Sequence, residues 1–273
     1  MAEDIDRYLR QDKLPHIWCP GCGHGTIMAN MLRGFARSGL AQDKTVVVSG
    51  IGCSGRASGY LDFDTLHVTH GRALTFATGI KMANPELTVI VVTGDGDGAA
   101  IGGNHLIHAC RRNIDIKVVL FNNSIYGMTA GQFSPMTPTG ATATTAPYGN
   151  IDQNFDLCEL TRSAGATFVA RGAAQHPRQL IKIFQEGFAH RGLTFIEAIT
   201  QCPVNYGRRN KLGGARDMLN WQKEHIINQT KYESLAAEER QDKIPSGILY
   251  QDEREEYTER YEKVIASARG SEN

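Results

Sequence analysis

The sequence predicts an α/β fold, built as a doubly wound parallel sheet with helices on both faces and followed by a mostly helical C-terminal extension. Short apolar runs rich in β-branched residues recur along the chain, and each run ends in a turn or a glycine-rich segment. Segments with helical spacing separate these runs almost to residue 202, an alternation typical of βαβ units. The chain has 273 residues, of which 41% are hydrophobic, so it can bury a core of its own.

Five segments are predicted to be strands, because each is a short apolar run bounded by turn residues. The clearest are 44–53, 87–96, 116–123 and 193–202, and the shorter run at 166–171 is the fifth. Helices are predicted between them, and several of these segments end at Gly, Asn-Pro or a basic residue: 23–39, 71–85, 100–113, 154–165 and 176–192. This order of elements predicts parallel strands joined by helical crossovers.

Two segments interrupt the alternation. Residues 127–153 are small and polar, and a loop of this length within a compact domain is usually functional or mobile. From about residue 213 the chain becomes charged, and it is predicted to be mostly helical. We therefore predict an α/β domain over 1–212 and an extension over 213–273, which is either a solvated arm or a segment that contacts a partner subunit.

The balance of charge argues against two classes of partner. Lys and Arg together number 29, as do Asp and Glu, so no basic excess is available for a nucleic acid or a membrane surface. Residues 1–14 are charged where a signal peptide needs an apolar run, and no later run approaches the ~20 apolar residues of a membrane span. We therefore expect a cytoplasmic protein, in which the six cysteines are thiols or metal ligands rather than disulfides.

Polar motifs follow two consecutive predicted strands. The sequence GDGDG occupies 94–98, and Asn122 and Asn123 end the next strand along the chain. Because the carboxyl ends of neighbouring parallel strands share one edge of the sheet, Asp95 and Asn123 are expected to lie close together. Their oxygens suit Mg²⁺, and the helix start near Gly98 offers backbone N–H groups to a diphosphate. A plain glycine-rich turn or a degraded dinucleotide fingerprint is the alternative interpretation.

The pairing of GDG with NN, separated by residues 97–121, resembles the thiamine diphosphate motif. In that motif the aspartate and the second asparagine bind Mg²⁺, and a backbone carbonyl two residues further on completes the protein ligands. The resemblance implies these roles for Asp95, Asn123 and the carbonyl of Ile125. It also implies a thiamine diphosphate-binding fold for the α/β domain.

Four cysteines pose a separate question, because Cys19 and Cys22 alone are compatible with a zinc site, a redox pair or a tight turn. Cys53 and Cys202 lie where predicted strands end, so they can converge on the edge of the sheet that carries the diphosphate site. Beside an organic cofactor, four thiolates are better explained by an electron-transferring 4Fe-4S cluster than by structural zinc. Two further cysteines in apolar helical patterns are expected to be small buried side chains: Cys110 and Cys158.

A series of motifs resembles the β subunit of 2-oxoacid:ferredoxin oxidoreductases, most closely the two-subunit 2-oxoglutarate type: CPGCGHG, GIGCSGR, THGRA, ATGIKMANP, GDGDGAAIGGNHLIHACRRN, NNSIYGMTAGQFSP and QCPVNYG. The resemblance covers about residues 14–212. It implies that a 4Fe-4S cluster is held by Cys19, Cys22, Cys53 and Cys202. It also implies oxidative decarboxylation of a 2-oxoacid, most closely 2-oxoglutarate to succinyl-CoA, with coenzyme A as acyl acceptor and ferredoxin as electron acceptor.

The same resemblance assigns residues to the site. It implies that His70 lies near the cofactor, that Arg56 faces the substrate side chain, and that Met128 lines the pocket, and these three are the predicted catalytic residues. Without the motif, His70 would be read as a satisfied core or loop histidine and Arg56 as a surface arginine. The residues implied to contact the cofactor are Gly52, Cys53, His70, Gly94, Asp95, Gly96, Asp97, Asn123, Ile125, Tyr126, Gly127 and Met128.

The family divides its enzyme between subunits. In thiamine enzymes a glutamate on a separate pyrimidine-binding domain activates the cofactor. A second α/β domain to carry that glutamate does not fit in 273 residues. The resemblance therefore implies an α subunit that carries it, in an αβ or (αβ)₂ assembly. Three alternatives stay open: pyruvate or another 2-oxoacid as the substrate, a cluster-free thiamine diphosphate decarboxylase or synthase subunit, and a zinc-stabilised nucleotide-binding or scaffold module.

Overall fold

The computed structural model describes residues 4–270, and one mixed sheet runs through this part of the chain. Its strands are β1 Thr45–Ser49, β2 Asp64–His67, β3 Thr88–Gly94, β4 Lys117–Asn122, β5 Phe168–Ala173, β6 Thr194–Ile199, β7 Ile226–Asn228 and β8 Ile244–Gln251. The helices are α1 His24–Ser38, α2 Ala57–Tyr60, α3 Ala73–Ala83, α4 Gly103–Arg112, α5 Leu157–Ala164, α6 Pro177–Ala189, α7 Ala215–His225, α8 Gln229–Ser234, α9 Ala237–Arg240 and α10 Tyr257–Gly270. A π-helical turn at Asp95–Ile101 joins β3 to α4.

The sheet confirms the predicted parallel topology. Its strand order is β2-β1-β3-β4-β6-β5-β8-β7, and the strands from β1 to β6 are all parallel to one another. Among the described strands, only β7 and β8 run in the opposite direction, because β8 is antiparallel to β5 and β7 is parallel to β8. The five predicted strands correspond to β1, β3, β4, β5 and β6.

Helices cover both faces of the sheet, so the doubly wound arrangement is also confirmed. One apolar core lies between the sheet and helices α1 and α6, and it includes Val47 and Val119. The other lies between the sheet and helices α3, α4 and α5, and it includes Val48 and Val118. Consecutive strand residues enter opposite cores because side chains alternate across a strand, which is why these strands are continuous apolar runs in the sequence.

Local sequence signals set the ends of several helices. Helix α1 ends where Gly39 adopts a left-handed conformation at φ 76°. Helix α5 begins after Asp156, whose side chain accepts hydrogen bonds from the backbone N–H groups of Cys158 and Glu159. Pro177 occupies the first position of α6, where its missing N–H costs nothing. Among the helices of residues 4–270, none has the length and apolar character needed to span a membrane.

The extension after residue 212 is mostly helical, as predicted, but it also contributes two strands that the sequence analysis did not predict. Strand β8 contains Pro245 and Gly247, and Gly247 has a φ of 123°, so its composition does not indicate a strand. Strand β2 was missed as well, because it is a four-residue edge strand whose residues are mostly exposed. Through β7 and β8, the extension belongs to the same sheet as the rest of the described chain.

The loop over 127–153 folds back on the carboxyl end of β4. Thr137 Oγ1 donates a hydrogen bond to the carbonyl of Ser124 over 2.6 Å. Asn150 Nδ2 donates to the carbonyl of Thr137 over 2.9 Å, and Gly140 N donates to the carbonyl of Asn150 over 2.7 Å. Hydrogen bonds therefore hold this loop above the strand ends, although it has no helix or strand of its own.

Candidate active site

A cleft opens at the carboxyl edge of the sheet, where β1, β3 and β4 end. It is open to solvent. The topology explains its position, because crossover connections bring these three strand ends side by side. The cleft is lined by every residue that the sequence analysis assigned to cofactor contact: Gly52, Cys53, His70, Gly94, Asp95, Gly96, Asp97, Asn123, Ile125, Tyr126, Gly127 and Met128.

Three oxygen atoms converge in the wall of this cleft. The side-chain oxygen of Asn123 lies 2.7 Å from the carbonyl oxygen of Ile125 and 3.1 Å from Oδ1 of Asp95. Two arrangements relieve the repulsion between them: the amide rotates so that its NH₂ group donates to both oxygens, or a cation lies between the three. Two oxygens bound to one Mg²⁺ at right angles are about 2.9 Å apart, because each Mg–O distance is about 2.0–2.1 Å. The donor set and its spacing therefore fit Mg²⁺.

The second oxygen of Asp95 is held by the loop over 127–153. Ser134 Oγ donates to Asp95 Oδ2 over 2.5 Å, and both side chains are buried. Burial raises the pKa of the Asp95 carboxyl to about 7, although the hydrogen bond from Ser134 acts in the opposite direction. A bound cation stabilises the ionised carboxylate and lowers that pKa. Ser134 was not among the predicted site residues, since the loop has no periodic pattern that would indicate this contact.

The second aspartate of GDGDG, Asp97, accepts four hydrogen bonds from the protein. Its Oδ1 accepts from Nδ1 of His70 at 2.7 Å and from the backbone N–H groups of Gly71 at 2.7 Å and Ile51 at 3.2 Å. Its Oδ2 accepts from Thr93 Oγ1 at 2.6 Å. The buried carboxylate thus ties the ends of β1 and β3 to the THGRA turn, and it fixes the ring of His70 at the cleft wall.

Two glycines in the cleft wall lack a side chain for different structural reasons. A Cβ at Gly96 would lie 2.2 Å from the ring of Tyr126, whose hydroxyl donates to the Gly96 carbonyl over 3.1 Å. Gly52 has a φ of 124°, and a Cβ there would meet nothing within 4 Å. The first glycine allows a close approach within the protein, whereas the second leaves open space beside the cleft.

The chain segments that carry the four predicted cluster cysteines meet beside this cleft. Trp18 Nε1 donates to the carbonyl of Cys53 over 2.7 Å. Gln201, the residue before Cys202, donates through Nε2 to the carbonyl of Gly21 in the CPGC turn over 3.0 Å. These bonds join the N-terminal turn to the ends of β1 and β6, so the convergence that the sequence predicted for Cys53 and Cys202 also includes the CPGC turn.

The four thiols influence one another. A Cβ at Gly127 would lie 3.2 Å from Sγ of Cys53 and 3.9 Å from Sγ of Cys202. Burial, with a smaller contribution from the neighbouring thiols, including that of Cys19, raises the pKa of Cys22 to about 12. Burial raises the pKa of Cys53 to about 11, again with a contribution from its neighbours. Four cysteine thiols are a donor set of the kind that iron–sulfur clusters use.

A single-ion site is a different arrangement. Within residues 4–270, no three side chains of His, Cys, Asp or Glu lie close enough together to hold one metal ion. The other two cysteines, Cys110 and Cys158, are buried in the core under α3, α4 and α5, as predicted. Cys158 Sγ donates over 3.5 Å to Oε2 of Glu197, a buried carboxylate.

The structure separates the three residues that were assigned catalytic roles. His70 and Met128 line the cleft, and 45% of Met128 is exposed. Arg56 is not among the described cleft residues: its guanidinium lies 5.9 Å from the centre of the Tyr60 ring, and its buried Nε has no hydrogen-bond partner in residues 4–270. His24 was not predicted but lines the cleft, and burial lowers its pKa to about 3.

Comparison with known proteins places this site in a family. The family described as thiamine pyrophosphate enzyme, C-terminal TPP binding domain, matches residues 50–198. The 2-oxoglutarate synthase subunit KorB of Methanothermobacter marburgensis is 49% identical over 264 residues, which cover 97% of this chain and 93% of that protein. The protein of the same name from Archaeoglobus fulgidus is 49% identical over 273 residues, which cover 100% of this chain and 98% of that protein.

A solved structure supports the same relationship. The 2-oxoglutarate:ferredoxin oxidoreductase from Magnetococcus marinus, with 2-oxoglutarate, coenzyme A and succinyl-CoA bound, matches at a TM-score of 0.86 and 32% identity. The match covers 97% of this chain and 91% of that chain. The chain belongs to the thiamine pyrophosphate enzymes and, among them, to the β subunits of the 2-oxoacid:ferredoxin oxidoreductases.

Proposed function

We propose that this chain is the β subunit of a 2-oxoglutarate:ferredoxin oxidoreductase and acts with an α subunit. The reaction is the oxidative decarboxylation of 2-oxoglutarate to succinyl-CoA with coenzyme A, and the electrons pass through a 4Fe-4S cluster to ferredoxin. The names of the relatives and the ligands of the similar structure support this substrate. The observation that carries the proposal is that Gly127 has Asn123 of the oxygen site and Cys53 of the thiol group as neighbours.

The oxygen site is proposed to hold Mg²⁺ through Asp95, Asn123 and the carbonyl of Ile125. A diphosphate and water supply the remaining oxygens that octahedral Mg²⁺ requires. The turn Asp95–Ile101 follows β3 directly, so its first backbone N–H groups would be available to those phosphates. Because Asp95 is buried, its negative charge is costly without a cation, and metal and diphosphate therefore bind together.

Thiamine diphosphate, when bound, would supply the carbanion chemistry that decarboxylation of a 2-oxoacid requires and that makes the decarboxylated substrate an electron donor. The residues of this chain hold and orient that cofactor. The metal ligands fix its diphosphate, and the open space beside Gly52 accommodates its body. Tyr126 forms part of the wall, where the carbonyl of Gly96 holds its hydroxyl.

The four cysteines are proposed to hold the cluster. Burial raises the pKa values of Cys22, Cys53 and Cys202, which disfavours their thiolates, so bound iron would supply the compensating positive charge. Cys53 lines the cofactor cleft as well, so a cluster bound to it adjoins the electron donor. Cys19 is exposed, so ferredoxin is proposed to approach the cluster from the side of this cysteine.

Anaerobic co-production of the chain with its α subunit tests the proposal. We expect about four iron atoms and four acid-labile sulfides per αβ unit, together with bound thiamine diphosphate and ferredoxin reduction that depends on 2-oxoglutarate and coenzyme A. Thiamine diphosphate without iron would instead identify a cluster-free decarboxylase or synthase subunit. Zinc without thiamine diphosphate would identify a scaffold or nucleotide-binding module, and faster turnover of pyruvate would identify another 2-oxoacid as the substrate.

A further inference from the structure

We propose that Asp97 is a positioning residue that acts through His70. It fixes the tautomer and orientation of the imidazole so that Nε2, rather than Nδ1, faces the cleft as a proton acceptor. The inference rests on the proposed function, because it concerns the same cleft. It differs from the role that the sequence analysis gave to Asp97, which was direct contact with the cofactor.

The carboxylate of Asp97 is fully occupied by hydrogen-bond donors of the protein. An ionised carboxylate has about four acceptor positions, and protein donors on four residues bind this one: His70, Gly71, Ile51 and Thr93. The side chain is buried, so water does not replace these donors readily. Asp97 is therefore committed to the protein, unlike Asp95, whose Oδ1 belongs to the oxygen site.

The contact between His70 and Asp97 determines which ring nitrogen carries the proton. Nδ1 lies 2.7 Å from Oδ1 of Asp97, a distance at which it must carry the proton, because an ionised carboxylate only accepts. In the neutral ring Nε2 then has the free lone pair. Since 32% of the His70 side chain is exposed and the residue lines the cleft, that nitrogen is available to a bound ligand. A proton taken by Nε2 creates an imidazolium, which the Asp97 carboxylate stabilises.

A double-mutant cycle in the αβ complex separates this role from a structural one. Asp97→Asn keeps the size and one acceptor oxygen but removes the charge. We expect kcat to fall about 10²- to 10⁴-fold, the range for losing a positioned base, with KM and thiamine diphosphate content little changed. His70→Asn keeps a donor near the Nδ1 position and removes Nε2, so it should cause a similar fall. Adding Asp97→Asn to His70→Asn should then cost less than about threefold more.

Thr93→Val is the matched control, because it removes another hydrogen bond to Asp97 and leaves the contact with His70 in place. We expect kcat within about threefold of the wild type. The inference is overturned if Asp97→Asn costs the same factor in both backgrounds, or if it costs nothing in either.

A second measurement does not depend on turnover. Diethyl pyrocarbonate acylates the unprotonated nitrogen of histidine, and peptide mass spectrometry reports the rate at His70 in the cofactor-free αβ complex at pH 8. A carboxylate on Nδ1 makes Nε2 more nucleophilic, so Asp97→Asn should slow acylation several-fold, whereas Thr93→Val should leave it unchanged. Equal rates in all three proteins, or no acylation of His70 in the wild type, would overturn the inference. A complex that acylates as expected but lacks thiamine diphosphate or activity would contradict the proposed function instead.

Discussion

At the scale of single residues, the oxygen site depends on one charge. Asp95 is the charged member of the set, and Asn123 and the Ile125 carbonyl contribute neutral oxygens. Asp95→Asn should therefore abolish retention of thiamine diphosphate during gel filtration, because the Mg²⁺ and diphosphate charges lose their anchor. Asn123→Ala should have the same effect more weakly. Cluster absorbance should persist in both variants, and normal cofactor content in Asp95→Asn would contradict the metal role.

The thiols give a prediction with an internal control. Cys202→Ser should lower the iron content and uncouple decarboxylation from ferredoxin reduction, because the hydroxyl of serine is a poor ligand for the cluster. Cys110→Ser provides the comparison, since Cys110 is buried in the core and lies outside the thiol group. Iron and sulfide analysis under argon measures both. Wild-type iron in Cys202→Ser would break the assignment of four ligands.

Arg56 is the predicted reader of the substrate. Its half-buried guanidinium has a buried Nε without a partner in residues 4–270, and the distal carboxylate of 2-oxoglutarate is an anion that matches it. Arg56→Leu should lower kcat/KM for 2-oxoglutarate, and the fall should correspond to a loss of roughly 2 to 5 kcal/mol of transition-state stabilisation. The exposed Arg178 on α6 provides a control, because Arg178→Leu should change nothing. An equal loss on pyruvate would show that selectivity lies elsewhere.

These residues show what sequence reasoning can reach. Adjacent parallel strands must end at the same edge, so the meeting of Asp95 and Asn123 follows from their places after β3 and β4. The contact between Ser134 and Asp95 does not follow, because 39 residues separate them and an aperiodic loop sets the path. The four bonds to Asp97 were equally hidden, since two of the donors are backbone N–H groups, which leave no mark in a sequence, and 27 residues separate His70 from Asp97.

At the scale of elements, buried polar contacts join the ends of β4, β5 and β6. Glu197 on β6 accepts from Arg171 Nε on β5 at 2.6 Å and from Asn122 Nδ2 on β4 at 2.7 Å. Oδ1 of Asn122 accepts in turn from Ser124 N at 3.0 Å, so this network supports the turn that carries Asn123. The three strands were predictable from their apolar runs, whereas β2, β7 and β8 were not, because β2 and β7 are only four and three residues long and β8 contains Pro245 and Gly247.

The network predicts a cost for neutralising Glu197. Glu197→Gln leaves the buried Arg171 with Asp156 as its remaining acidic partner, at 2.6 Å, so the free energy of unfolding should fall by about 3 kcal/mol. Urea denaturation of the variant measures this loss. The exposed pair of Lys182 and Glu186 on α6 is the control, and Glu186→Gln should change stability by less than about 0.5 kcal/mol. Equal effects would mean that the network contributes no more than a surface pair.

At the scale of the whole molecule, the extension has two parts. Strand β8 pairs with β5 and belongs to the sheet, whereas residues 261–270 of α10 are all exposed. Removing residues 261–273 should therefore change the melting temperature of the isolated chain by less than about 2 °C. If this end of α10 contacts the α subunit, the same truncation should weaken αβ assembly in analytical ultracentrifugation. Unchanged assembly would favour a solvated arm.

The carboxylate of Asp95 also sets a thermodynamic linkage. One of its oxygens belongs to the oxygen site and the other accepts from Ser134, so the order of the 127–153 loop and the occupancy of the cleft share one group. If cofactor binding stabilises the ordered loop by a given free energy, the ordered loop strengthens cofactor binding by the same free energy, because coupling between two equilibria is reciprocal. We therefore expect a substitution that loosens the loop far from the oxygen site to weaken cofactor affinity, and cofactor titration to slow amide exchange across the loop.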